Sequence, residues 1–168
     1  MKAIIYTSNT GSTAEYAQLL GNELNLPVHS LQQAKNKVPA GSEIIYLGWI
    51  MAGGIKGYKE AAKLYKVRAV CGVGMGQTGT QLKEVRDKNA IPQRIPLFTL
   101  QGNFDVKKLH GVYRFMMNVM VKTAGKGLAN KTDRTPEEDD MLDMMVNGGK
   151  RVSLQNLKAV TEWYKSVY

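Results

Sequence analysis

The sequence predicts an α/β domain: a doubly wound, five-stranded parallel sheet with helices on both faces. Three observations predict it. Apolar runs of strand length alternate with helix-periodic segments over residues 1–101. Those runs are nearly continuous rather than alternating, as in strands buried on both faces. Each of three runs leads into a loop rich in glycine or hydroxyl side chains. The chain has 168 residues, which suits one domain with a sizeable core. We expect one domain over 1–168, with a helical insertion at about 104–150.

The elements follow in order. Residues 2–7 read as the first strand. Residues 12–24 follow as a helix, with Ala14, Ala17, Leu20 and Leu24 near helical spacing. Residues 27–31 form a short second strand. Pro39-Ala40-Gly41-Ser42 reads as a turn before a buried strand at 43–48. A glycine-rich segment, 52–57, leads into a helix at 58–65. Residues 67–73 are the fourth strand, 80–88 the next helix and 95–101 the fifth strand.

The last third is mainly helical. Residues 106–124 carry Leu109, Val112, Met116, Val119, Met120 and Thr123 at helical spacing. The other face bears Lys107, Lys108, Arg114 and Lys122. Residues 125–134 are expected to be a mobile surface loop. Thr135-Pro136-Glu137-Glu138 is a helix start: Thr135 as N-cap, Pro136 at the first position and Glu138 closing a capping box. Gly148 ends that helix, and Ser153 caps a final one.

Composition excludes several classes. No apolar run reaches the length of a membrane span. The N-terminus enters strand-like sequence at once, without a leader pattern, so a cytoplasmic setting is expected. The lone Cys71 can form no internal disulfide and reads as core rather than as a redox thiol. Net charge is +9, unevenly spread. Residues 101–134 hold seven basic and two acidic side chains, whereas 135–146 hold five acidic and no basic ones. Such a balance suits an anionic surface or an acidic partner. No basic run interleaves with aromatics, so no nucleic-acid partner is expected.

The first loop carries the most chemistry. Strand 1 ends at Thr7, and Ser8, Asn9, Thr10, Gly11, Ser12 and Thr13 lead into the helix. A helix N-terminus presents unpaired N–H groups and partial positive charge. Hydroxyls add donors, and glycine lets the backbone bend around an anion. One residue suffices to cap a helix. Five hydroxyl or amide side chains around one glycine point instead to a phosphate cradle. A second candidate, Gly74-Met75-Gly76-Gln77-Thr78-Gly79, spells G-x-G-x-x-G. The acidic residue that a dinucleotide site needs after the next strand is missing, since that strand ends Leu100-Gln101-Gly102.

Ser8 to Thr13 matches the pattern [ST]-x-T-G-x-[ST], and in this the chain resembles the flavodoxins. Ile44-Ile45-Tyr46-Leu47-Gly48 and Cys71-Gly72-Val73-Gly74 resemble the strands before that family's two flavin loops. The resemblance implies strand order 2-1-3-4-5 and FMN as cofactor. It implies that the loop Ser8 to Thr13 holds the phosphate. Ile50, Met51, Ala52, Gly53 and Gly54, with Val73, Gly74, Met75, Gly76, Gln77, Thr78 and Gly79, would offer backbone contacts to the ring. The glycine pair Gly53-Gly54 suggests a peptide able to flip against the ring. The protein supplies no acid–base residue, since the ring carries the electrons. The chain departs from electron-shuttle flavodoxins in its basic charge. Trp49 stands earlier than the usual loop tryptophan and reads equally as ring contact or core. The loop 75–79 has no aromatic residue.

Leu100-Gln101-Gly102-Asn103-Phe104-Asp105 and the Met-rich Tyr113-Arg114-Phe115-Met116-Met117 look like the flavodoxin-domain subgroup that includes menaquinone-dependent protoporphyrinogen dehydrogenase. That resemblance implies an oxidoreductase working beside a membrane, but no particular substrate. The expected partners are a redox protein or a quinone. The basic, Met-rich helix 106–124 is a candidate for peripheral contact with the inner face of a membrane. A flavin-free adaptor on the same fold is the alternative.

Overall fold

Burial on both faces governs how the sheet is built. The computed structural model describes residues 1–103 and 111–168. The strands are β1 (Ala3–Thr7), β2 (Val28–Ser30), β3 (Glu43–Met51), β4 (Gly54–Ile55), β5 (Lys66–Gly74) and β6 (Leu97–Gln101). Five of them pair in parallel in the order β2-β1-β3-β5-β6. With the two-residue β4 set aside, this is the expected order. β4 folds back antiparallel on the end of β3.

Successive side chains of each strand point to opposite faces. Ala3, Ile5, Ile44, Tyr46 and Val70 pack on one face. There they meet Leu31 and Ala34 of α2 (Leu31–Lys37), Tyr58 and Ala61 of α3 (Tyr58–Leu64), and Val85 of α4 (Leu82–Asn89). Ile4, Ile45, Leu47, Ala69, Cys71 and Val73 point to the other face. They pack against Tyr16, Ala17 and Leu20 of α1 (Ser12–Leu24) and against Leu157 and Val160 near the C-terminus. Cys71 is fully buried among these side chains, and burial pushes its thiol up to about 12.

Several elements differ from the sequence reading. α2 was not expected; a capping box between Ser30 and Gln33 starts it. β3 runs on to Met51, so Trp49 and Ile50 are strand residues. The helix expected from 80 begins at Leu82, because Gln81 takes a left-handed conformation (φ 59°). Residues 154–157 form a 3-10 turn before α7 (Lys158–Val167), and the Ser153 side chain caps neither.

The segment between β6 and the C-terminal elements holds α5 (Gly111–Asn130) and α6 (Pro136–Asn147). α5 continues through most of the expected mobile loop 125–134. Gly125 does not break it: it is buried within the helix, with Met145 of α6 beside it. Arg134 Nη1 then closes the helix by donating to the carbonyls of Leu128, Ala129 and Lys131. α6 starts as expected. Thr135 Oγ1 accepts from Glu138 N at 3.3 Å, and Glu138 Oε2 accepts from Thr135 N at 2.9 Å. Gly148 follows its end. Of the expected helix 106–124, residues 106–110 lie outside the described residues, as do the side chains of Val112, Tyr113, Arg114, Met116, Met117 and Met120. Val119 and Thr123 are exposed. No helix among the described residues is long and apolar enough to cross a membrane.

Candidate functional site

A cleft of about 550 Å³ opens at the C-terminal ends of β1, β3, β5 and β6. That is where an open parallel sheet binds ligands, and the size lies in the usual small-molecule range of roughly 300–1,000 Å³. Each wall has its own physical origin.

The first wall is the β1–α1 loop. Gly11 precedes α1 with φ 106°, and among the described residues no side chain caps the helix. Asn9, Thr10, Ser12 and Thr13 line the cleft around that uncapped N-terminus. Ser8 and Gly11 shape the loop from behind, with Gly11 N donating to Ser8 Oγ at 3.3 Å. The Ser12 hydroxyl is committed elsewhere, since it accepts from Asn103 N at 3.0 Å. Asn103 also donates to Glu15 Oε2 (3.2 Å), which draws that carboxylate into a hydrogen bond.

The second wall is a β-hairpin. Ile50 pairs with Ile55 and Met51 with Gly54, which leaves Ala52 and Gly53 as a two-residue turn. Their φ values of 47° and 74° are both left-handed, as a type I′ turn requires. Trp49, Ile50, Met51, Ala52 and Gly53 line the cleft, while Gly54 is paired in β4. Trp49 is half-buried at the cleft rather than in the core, with Lys56 Nζ 5.7 Å from its ring centre.

The third wall is the β5–α4 loop. Val73, Gly74, Met75 and Gly76 line the cleft. Gln77, Thr78 and Gly79 bind the loop to its surroundings instead. Thr78 Oγ1 accepts from Gln101 N (3.0 Å), Gly79 N donates to Thr99 O (3.0 Å), and Gln77 O accepts from Thr80 Oγ1 (2.7 Å). The helix after this G-x-G-x-x-G run begins at Leu82, beyond the glycines, which removes the helix terminus that a dinucleotide fingerprint needs.

The fourth wall comes from α6. Met141 and Met145, one helical turn apart on α6, face the cleft. Gln101 Nε2 donates to Asp140 Oδ2 (2.5 Å), and Arg151 Nη2 bridges Asp140 (3.2 Å) and Asp143 (3.1 Å). Asn103 Oδ1 accepts from the backbone of Arg151 (2.6 Å) and Val152 (3.0 Å). Gln81, Glu84, Gly102 and Asn103 also line the cleft. Gly102 fits a tight place: a side chain there would crowd Val73 and Ser12. Capping of α6 was readable, but its approach to the sheet ends is a tertiary contact with no local signal.

The arrangement sets neutral donors at one end of an apolar slot. Asn9, Thr10 and Thr13 stand with the α1 terminus, whereas Trp49, Ile50, Met51, Val73 and Met75 form the body. Such donors suit a phosphate, and such a slot suits a flat aromatic ring system. Among the described lining residues, Glu84 is the charged one.

Comparisons with curated proteins and with solved structures gave no match. A family model described as flavodoxin domain matches residues 3–131. Domains of this kind generally bind FMN and serve redox chemistry. The match covers well over half of the chain and includes the β1–α1 loop, the hairpin and the β5–α4 loop; the chain belongs to the flavodoxin domain family.

Proposed function

We propose that the chain binds FMN in this cleft and serves as a redox protein. The observation that carries this reading is the uncapped, left-handed entry to α1 at one end of an apolar cleft. The α1 N–H groups, with Asn9, Thr10 and Thr13, would hold the phosphate. Ser12 would contribute through its backbone, since its hydroxyl serves Asn103. Ala52, Gly53, Met75 and Gly76 would offer backbone contacts to the ring. Trp49, Met141 and Met145 supply apolar surface that keeps water from it. Bound FMN supplies the electron transfer itself.

Titration of FMN and riboflavin, followed by fluorescence quenching, tests this. A phosphate held by the loop makes FMN bind at least about tenfold more tightly than riboflavin, and Thr10→Ala narrows the gap. Equal affinities, or no binding of either, would leave the flavin-free adaptor in front.

An oxidoreductase role toward a hydrophobic electron partner such as a quinone is the finer reading. It is favoured by exposed Phe115 (69 %) and Val119 (45 %), one turn apart on α5, with exposed Lys122 and Lys126 beyond them. An apolar and cationic surface of this kind suits peripheral contact with an anionic membrane. The electron partner would then be lipid-borne, as the resemblance to the protoporphyrinogen dehydrogenase subgroup implies. Co-sedimentation with vesicles containing anionic lipid, lost at high salt, supports this; no binding at low salt removes it.

A further inference from the structure

Asn89, the last residue of α4, is buried at 6 % exposure and belongs to none of the expected site segments. Its Oδ1 accepts from Ile55 N at 2.8 Å. Its Nδ2 donates to Gly53 O at 2.8 Å and to Val85 O at 2.7 Å. Both amide hydrogens are thus used. The pair on the hairpin has a particular geometry. In extended backbone the carbonyl of one residue and the N–H two residues on point the same way. The carboxamide therefore meets the free edge of β4 as a peptide of a neighbouring strand would.

The hairpin has reason to need that support. β4 is two residues long and, among the described residues, pairs only with the end of β3. Its turn places Ala52 at φ 47°, a conformation that L side chains other than Asn and Asp rarely take. Ala52 and Gly53 face the cleft, while the Gly53 carbonyl is held from α4. This also bears on the suggested flip of the Gly53–Gly54 peptide, because its oxygen is already engaged.

We propose that Asn89 is the positioning residue of the cleft: it fixes the Ala52–Gly53 turn, and through it the edge against which the ligand is seated. The ligand part of this rests on the FMN reading. Asn89 touches no ligand itself; it acts through the hairpin backbone.

Two variants separate its two bonds to the hairpin. Asn89→Ala removes both. Asn89→Asp, assayed at a pH where its carboxyl is ionised, can still accept from Ile55 N but cannot donate to Gly53 O. Amide hydrogen exchange of the ligand-free protein reads the first bond. In Asn89→Ala the Ile55 amide exchanges about tenfold faster, with Tyr46 and Val70 unchanged, and in Asn89→Asp it stays protected. FMN titration and the midpoint potential of the bound flavin read the second. Both variants weaken FMN binding about fivefold or more and shift the potential, because each releases the Gly53 carbonyl. An Ile55 amide unchanged in a folded Asn89→Ala overturns the proposal. So does faster exchange with FMN affinity and potential both as in the unmodified protein. If the unmodified protein binds no FMN, the cofactor reading fails, and Ile55 exchange still decides whether Asn89 holds the turn.

Discussion

The two sides of the cleft are held by different forces. The hairpin side rests on backbone pairing, buried hydrogen bonds and glycine geometry. Tyr46 stands behind it, with its hydroxyl donating to Lys56 O (2.7 Å) and bonded to Thr7 Oγ1 (2.7 Å), which supplies its own hydrogen. The α6 side rests on Gln101 and on the Arg151 bridge to Asp140 and Asp143, whose side chains are about a quarter to a half exposed. Partly exposed ion pairs contribute about 0–1 kcal/mol and weaken with salt. Buried hydrogen bonds do not. One side of the cleft is therefore rigid and indifferent to salt, and the other adjustable.

The largest effect is expected on the rigid side. Gly57 sits at φ 79°, and a side chain there would collide with Tyr46 Oη and Thr7 Oγ1. Gly57→Ala combines backbone strain with overpacking, so it should lower stability by about 3 kcal/mol in urea unfolding. A loss below about 1 kcal/mol would mean that this side yields more easily than its hydrogen bonds imply.

Tyr46→Phe comes next, at about 1–2 kcal/mol, because it leaves the Lys56 carbonyl without its buried donor. The same hydroxyl sets a pH dependence. Burial raises Tyr46 and Tyr16 above their ordinary value of 10.0 and pushes Cys71 up to about 12. The unfolded chain releases these protons first, so it binds fewer of them than the folded protein. Stability is then whole below about pH 8.5 and falls as pH rises through the unfolded values of cysteine and tyrosine. Thermal unfolding between pH 8 and 11 should show the decline, less steeply in Tyr46→Phe. A midpoint rising with pH would contradict it.

A smaller effect is expected on the adjustable side. Arg151→Met should cost about 1 kcal/mol or less and remove part of the salt dependence of thermal unfolding. Equal salt dependence in both proteins would show that the bridge does not hold α6. The smallest change is none at all: buried Cys71 should stay unreactive toward a thiol reagent until the protein unfolds.

The contrast between the sides also explains what could be read in advance. The five parallel strands were legible because burial on both faces leaves unbroken apolar runs such as Ile44 to Leu47. The β1–α1 loop was legible because its hydroxyls cluster around Gly11. Thr135, Glu138 and Gly148 bounded α6 through local capping chemistry. α2 escaped because only Leu31 and Ala34 of it are buried. β4 is too short for any pattern, and its partner Asn89 lies far along the chain. Gly125, expected to open a mobile loop, is buried inside α5 beside Met145 of another helix, a tertiary contact with no local signal. Met141 and Met145 line the cleft because α6 approaches the sheet ends, which no local pattern announces.

The central claim is that this cleft holds FMN, and the visible absorption spectrum of the purified protein, before and after addition of FMN, tests it most directly. Binding of FMN gives flavin bands perturbed from those of the free cofactor, with a chromophore released on denaturation that is identified as FMN. A colourless protein that neither perturbs the spectrum of added FMN nor quenches its fluorescence would contradict it.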